Sequence, residues 1–281
     1  MSWAAIAKKD FQDAARSKAL WALTALFVLF MAGAAYVYTL LQSGGQGGEL
    51  EALGLIFLLL TPVTWLIPLT ALVMSHKAIA GEVESGSAKF LLSLPHSRRD
   101  AVVGKVVGRS AVMTVSIVVG LVVAAVVTFV LYDTFDFGAY VGFSALTVLL
   151  GVLYTAIGVG LSATTKSTGR ATIIAAGFFV VFELAWQLVP AGVYYVLNGS
   201  FGPRMAGQPP EWYILLTRIP PSEAFTSAVL QFLPGNSTLV AALFPQNPPV
   251  FLTEWAALAT MLLWLVVVPV LGYAVFERAD L

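Results

Sequence analysis

Six long apolar stretches govern what this chain can fold into. They run over about 19–41, 52–75, 106–131, 140–163, 171–197 and 254–276. A helix needs roughly 20 apolar residues to cross a hydrocarbon core of about 30 Å, and each stretch meets that length. Only 11% of the 281 residues are charged, against 59% hydrophobic. A soluble domain carries about 25% charged residues, so this composition does not supply a water-facing surface. The expectation is an all-α integral membrane protein with a single transmembrane domain over 1–281. The polar stretch before the first apolar run is too long for a cleavable signal peptide, so that run is read as a retained helix.

Lysine and arginine give the spans a direction. Lys8, Lys9, Arg16 and Lys18 precede span one, and Lys77, Lys89, Arg98, Arg99, Lys105 and Arg109 lie between spans two and three. Lys166 and Arg170 separate spans four and five, and Arg278 follows span six. The alternate loops 42–51 and 132–139 hold no basic residue, and 198–253 holds only Arg204 and Arg218. The pattern predicts a multi-pass protein of the plasma membrane with both termini cytoplasmic.

Residues 1–18 predict a helix lying in the cytoplasmic interface. Trp3, Ala4, Ala7, Phe11, Ala14 and Ala15 share one face, with Lys8, Lys9, Asp10, Gln12, Asp13 and Arg16 on the rest. An amphipathic helix of this kind binds a membrane surface through its apolar face. A solvated extension of span one is the plainer alternative.

Several chemistries are missing. Gly104-Lys105 is followed by Val106 with no glycine five positions earlier, so there is no phosphate-binding P-loop. No H-E-x-x-H and no G-x-S-x-G occurs. The chain has no cysteine, and His76 and His96 lack ligand-spaced partners, which argues against a metal site. No catalytic residue, bound cofactor or nucleic-acid contact is expected of this chain.

One polar stretch stands out, "GEVESGSAKFLLSLPHSRRDAVVGKVVGR" from Gly81 to Arg109. Gly81 and Gly86 interrupt the end of span two. Ser87 to Leu94 is a short apolar run at helical spacing, ended by Pro95, which lacks the amide donor and disfavours helix before it. Ser97 stands three residues before Asp100, a capping-box arrangement from which a new helix starts at Arg98 and runs into span three. The result is a helix–break–helix over 76–105. Its apolar Phe90, Leu91, Leu92 and Leu94 have no core of their own, which suits a partner's groove. A loop folded back on the membrane surface is the alternative.

This stretch resembles a segment of the type-2 ABC transporter permeases, with the form E-x-x-x-G-[ST]-x-x-x-L-L-[ST]-x-P-x-S-R-x-x-x-x-x-G-K. Glu82, Gly86, Ser87, Leu91, Leu92, Ser93, Pro95, Ser97, Arg98, Gly104 and Lys105 match it. "IPPSEAF" at 219–225 is similar to the family's N-P-x-x-A-[FY] element through Pro221, Ala224 and Phe225, although Ile219-Pro220 stands where asparagine is expected. The likeness is nearest to the permeases of nitrous-oxide-reductase maturation transporters. It implies a coupling helix that inserts into a separate ABC ATPase, with ATP and Mg on that subunit. Two permeases, identical or paralogous, would pair with two ATPases. Leu91, Leu92 and Leu94, beside Phe90 and Pro95, would fill the ATPase cleft. Glu82, Glu84, Arg98 and Arg99 would pair on its polar rim, with Gly86 and Lys105 in the same element. A membrane anchor that signals mechanically to an extracytoplasmic binding or maturation protein is the alternative function.

Glu183 is the one charge placed deep in a span. Such residues face a cavity or a protein interior. Glu183, Gln187, Pro190 and Tyr194 share one helical face bordered by Trp186, and are read as lining a transport path or dimer seam. A protonated Glu183 that only packs against a neighbouring helix is the alternative. Pro62, Pro68 and Pro269 predict kinks. Segment 198–253, with nine of the fourteen prolines, is expected on the outer side as short half-helices dipping into the interface, one capped by Ser222 and another over Leu239–Phe244. Asn198 and Asn236 begin glycosylation-type sequons there.

Overall fold

The computed structural model describes residues 3–42, 51–88, 97–131, 136–202, 209–232 and 248–279. The predicted knuckle Phe90–Pro95, the run Leu239–Phe244 and Asn236 lie outside the described residues.

The described residues are helical throughout their ordered elements. In chain order these are α1 (Trp3–Ala15), α2 (Lys18–Gln42), α3 (Glu51–Ser75), α4 (Ala80–Glu84) and α5 (Arg98–Leu131). There follow α6 (Phe137–Ala163), α7 (Thr168–Phe179), a π-helical stretch Val180–Ala185, and α8 (Leu188–Asn198). Last come α9 (Glu211–Thr217), α10 (Pro221–Phe232), a 3-10 turn Val250–Leu252, and α11 (Glu254–Glu277). Six candidate membrane spans are present among them, at the six places read from the sequence. The protein is a multi-pass membrane protein.

Helix α6 is the most buried span and organises the bundle. Phe143, Leu150, Leu153, Tyr154 and Ile157 on it are fully enclosed. Glycines let its neighbours approach: a Cβ on Gly151 would strike Ile117 of α5, and one on Gly158 would strike Ser75 of α3. At its end, Gly160 and Gly272 of α11 meet backbone to backbone. Small residues serve this purpose in membranes, where close backbone packing replaces the hydrophobic driving force.

Two local readings hold in detail, the start of α5 and the turn at Gly86. Asp100 N donates to Ser97 Oγ at 3.1 Å, and Ser97 N donates to Asp100 Oδ2 at 3.1 Å. This reciprocal box starts α5 at Arg98. Gly86 takes a positive φ of 76° in a turn, a conformation that glycine adopts without Cβ strain. Pro62, Pro68 and Pro269 lie inside helices that continue past them.

Three readings change. Span five is not one α-helix, because a π-helical stretch holds Glu183 and a turn at Trp186–Gln187 separates it from α8. On α1 the buried side is Ile6, Ala7, Asp10 and Ala14, while Trp3 and Ala4 are exposed. The glycines Gly104 and Gly108 of α5 explain this: their missing side chains leave room only for Ile6, Ala7 and Asp10 to seat. Finally, α10 does not merely dip into the outer edge. Ala224, Phe225 and Ala228 are completely buried, and Phe225 packs on Phe143 of α6 with ring centres 6.3 Å apart.

Candidate functional site

The two flanks of the polar stretch are tied together and to the rest of the bundle. Lys105 Nζ lies 2.6 Å from Glu82 Oε1 and 2.9 Å from Asp10 Oδ1. Glu82 precedes the segment 89–96 and Lys105 follows it, so their contact closes its base. Arg109 Nε sits 2.9 Å from Asp10 Oδ2 as an ion pair not aligned for a hydrogen bond, and Arg109 Nη1 donates to Met74 O at 3.2 Å. Two acids and two bases therefore balance in a largely buried cluster joining α1, α4 and α5. A buried charge persists only when it is paired in this way.

The remaining predicted rim residues are also placed. Glu84 Oε2 accepts from Thr168 N at 3.1 Å, which puts a carboxylate on the first turn of α7. Ser162 Oγ of α6 accepts from Ile79 N and Ala80 N, holding the start of α4. Arg98 Nη1 donates to the carbonyls of Phe276, Glu277 and Ala279 at 2.6–2.7 Å, and its guanidinium lies over the Phe276 ring. It thereby caps the last span. Arg99 is exposed. Glu82, Glu84 and Arg98 thus spend their charge inside the chain.

A second polar cluster lies deep in the bundle. Tyr154 Oη donates to Glu183 Oε1, and Ser222 Oγ donates to the same oxygen at 3.1 Å. Tyr154 and Ser222 are themselves 2.9 Å apart. The sequence explains why Ser222 is there. Pro68 has no amide hydrogen, so the Thr64 carbonyl loses its helical donor; Ser222 Oγ approaches that carbonyl at 3.4 Å. Thr64, Tyr154 and Glu183 all sit near the middle of their spans. Helix α10 therefore begins at mid-depth, with its positive N-terminal end beside the Glu183 carboxyl group.

The Pro-Pro link before α10 is held by two indoles. Trp186 Nε1 donates to Leu216 O at 2.8 Å, and Trp264 Nε1 to Ile219 O at 2.8 Å. Gln187 Nε2 donates to Glu223 Oε1 at 2.9 Å. Tyr194 packs on Trp212 and Tyr213 of α9. The stripe Glu183, Gln187 and Tyr194 thus meets the segment 211–232 along its length, with Pro190 buried between.

Sequence reasoning missed Asp10, Tyr154 and Ser222 as members of these clusters. Tyr154 and Ser222 had a faint signal, a phenol and a hydroxyl in otherwise apolar or proline-bounded segments. Among the described residues no three His, Cys, Asp or Glu side chains converge on a metal-sized site.

Comparison with known proteins follows the same line. A family profile described as ABC-2 family transporter protein matches residues 4–281. A "Probable ABC transporter permease protein NosY" of Stutzerimonas stutzeri is 28% identical over 279 residues, covering 97% of each chain. A protein of the same description from Pseudomonas aeruginosa is 27% identical over 278 residues, again 97% of each.

Proposed function

The chain belongs to the ABC-2 transporter family as a membrane permease subunit, and from that premise we propose that it converts ATP hydrolysis on a separate ATPase into export or translocation. ATP and Mg belong to that ATPase. Two copies of the permease, or this chain and a paralogue, pair with two ATPases. Both termini face the cytoplasm, and α1 lies in that interface. Phe90, Leu91, Leu92, Leu94 and Pro95 form the tip that enters the ATPase, with Arg99 on its rim and Gly86 at its hinge. Glu82, Glu84, Arg98 and Lys105 hold the base of the tip.

The observation that supports this reading best is the clamped base. Glu82 and Lys105 flank the tip and contact each other, while Glu84 and Arg98 tie the same flanks to α7 and α11. A push on the tip is then carried to three spans as a unit rather than absorbed locally. Glu183, with Tyr154 and Ser222, is the polar station of the path, and Gln187 and Tyr194 continue it toward the outer segment. Leu92→Asp tests the tip: it should abolish co-purification with the ATPase while membrane insertion is unchanged. Co-purification at the wild-type level would remove the tip from the interface.

A further inference from the structure

A second site lies at the end of the bundle that carries α1 and α4, and no transport role accounts for it. The turn between α6 and α7, α4 and the last turn of α11 enclose a cleft of about 490 Å³. Lys166, Arg170 and Arg278 line it, over a floor that includes Val83, Val275 and Phe276. None of the described residues lining it is acidic. Among the described residues neither Arg170 nor Arg278 has an acidic partner. Arg98 already satisfies the carbonyls at the end of α11, so the Arg278 side chain is not required as its cap.

The cleft is continuous with an apolar track. Leu263, Val267, Leu271 and Val275 recur every four residues on α11 and are all exposed, Val275 also forming the cleft wall. At 1.5 Å per residue this ridge is ~18 Å long, close to one leaflet of a core of about 30 Å. A site with cations at the membrane edge and a leaflet-deep apolar ridge below them has the shape of an amphiphile with an anionic head.

We propose that this cleft binds the phosphate headgroup of an anionic phospholipid, whose acyl chain lies along the α11 ridge. Positive-inside bias alone places basic residues on this side; it does not gather three of them from two separate elements around one cleft. An occupied headgroup would bridge the α6–α7 turn to the end of α11, beside the Val83 wall contributed by α4. The lipid would thus stiffen the platform from which the coupling segment projects.

The test uses the full chain in mixed micelles of phosphatidylglycerol and phosphatidylethanolamine, with retained lipid counted by native mass spectrometry. The wild type should retain phosphatidylglycerol preferentially. Each of Lys166→Gln, Arg170→Gln and Arg278→Gln should weaken retention about fivefold, and the three together by roughly a hundredfold, given about 1 kcal/mol per basic residue at a membrane surface. The charge-keeping set Lys166→Arg, Arg170→Lys and Arg278→Lys should retain the lipid, which separates loss of the site from misfolding. Unchanged retention in the triple Gln variant overturns the proposal. Displacement of the lipid by millimolar inorganic phosphate also overturns it, in favour of a soluble anion. So does a triple Gln variant that keeps its lipid but no longer co-purifies with the ATPase, which would make the patch a protein contact.

Discussion

Lys105→Met is the substitution that bears hardest on the clamped base. Lys105 is 11% exposed at its side chain and Asp10 5%, so their contact is shielded from solvent. Without Lys105, Asp10 and Glu82 face Arg109 alone, and the cluster carries one net negative charge. Removing one partner of a buried pair costs about 3–5 kcal/mol. The low end applies here, because Arg109 remains beside Asp10 and the Glu82 side chain is 27% exposed. The cost should fall on the docking of α1 against α5. The chain contains no cysteine, so Ala7→Cys, under the Gly108 contact, is a clean reporter. When opening is fast relative to modification, labelling follows the open population. A loss of about 3 kcal/mol then raises the labelling rate roughly a hundredfold over the Ala7→Cys reference. The double variant Asp10→Asn/Lys105→Met leaves Glu82 and Arg109 in balance, so it should label more slowly than Lys105→Met. A Lys105→Met rate within about threefold of the reference, less than 1 kcal/mol of loss, would refute the reasoning. So would a double variant more open than both singles.

Other outcomes follow from single contacts. Gly272→Ala places a methyl group on the Gly160 backbone, and overpacking of this kind costs about 1–3 kcal/mol; its thermal midpoint in detergent should fall, while Gly33→Ala, which meets nothing within 4 Å, should not. Ser97→Ala removes the cap of α5 and costs about 1 kcal/mol; amide exchange at Asp100 and Ala101 should speed up roughly fivefold, with Asp100→Ala adding little. Glu183→Ala should cut transport and transport-coupled ATP hydrolysis without changing co-purification with the ATPase. Full activity in that variant would reduce the Glu183–Tyr154–Ser222 cluster to packing.

Much of the fold was legible because hydropathy over twenty residues is insensitive to detail. The six spans, the start of α5 at Arg98 and the turn at Gly86 rest on local chemistry, and local chemistry is what a sequence displays. Asp10 shows the opposite case. In a helix rich in Lys and Asp it reads as one more solvated carboxylate; only Lys105 and Arg109, far along the chain, make it a buried anchor. The glycines that receive it are visible at Gly104 and Gly108, but spacing alone does not say which helix they receive. The π-helical stretch has no residue signature in "VVFELA"; it coincides with the contacts of Glu183 to Tyr154 and Ser222, which are far apart in the chain. The depth of α10 was hidden for a similar reason. It goes with a carbonyl freed by Pro68 in the second span, with three further spans between it and α10 along the chain.

These long-range contacts bear on how the two clusters relate. Glu84 grips the first amide of α7, and Glu183 lies fifteen residues further along the same rod. At 1.5 Å per residue that is ~23 Å, the distance from the basic end to the middle of the bundle. A straight α-helix would carry a displacement of its start to Glu183 with little loss. The π-helical stretch interrupts the α-helical ladder at the very residue that holds the buried cluster, and such stretches recur at functional positions. Motion at Thr168 can therefore be spent in rotating Glu183 rather than in dragging α8 and α9. The two indoles that pin the Pro-Pro link keep the start of α10 fixed while this happens. On this view the carboxyl group moves against a stationary Ser222. The testable quantity is the Glu183–Ser222 contact, which should break with ATPase closure while the Trp186 and Trp264 hydrogen bonds persist.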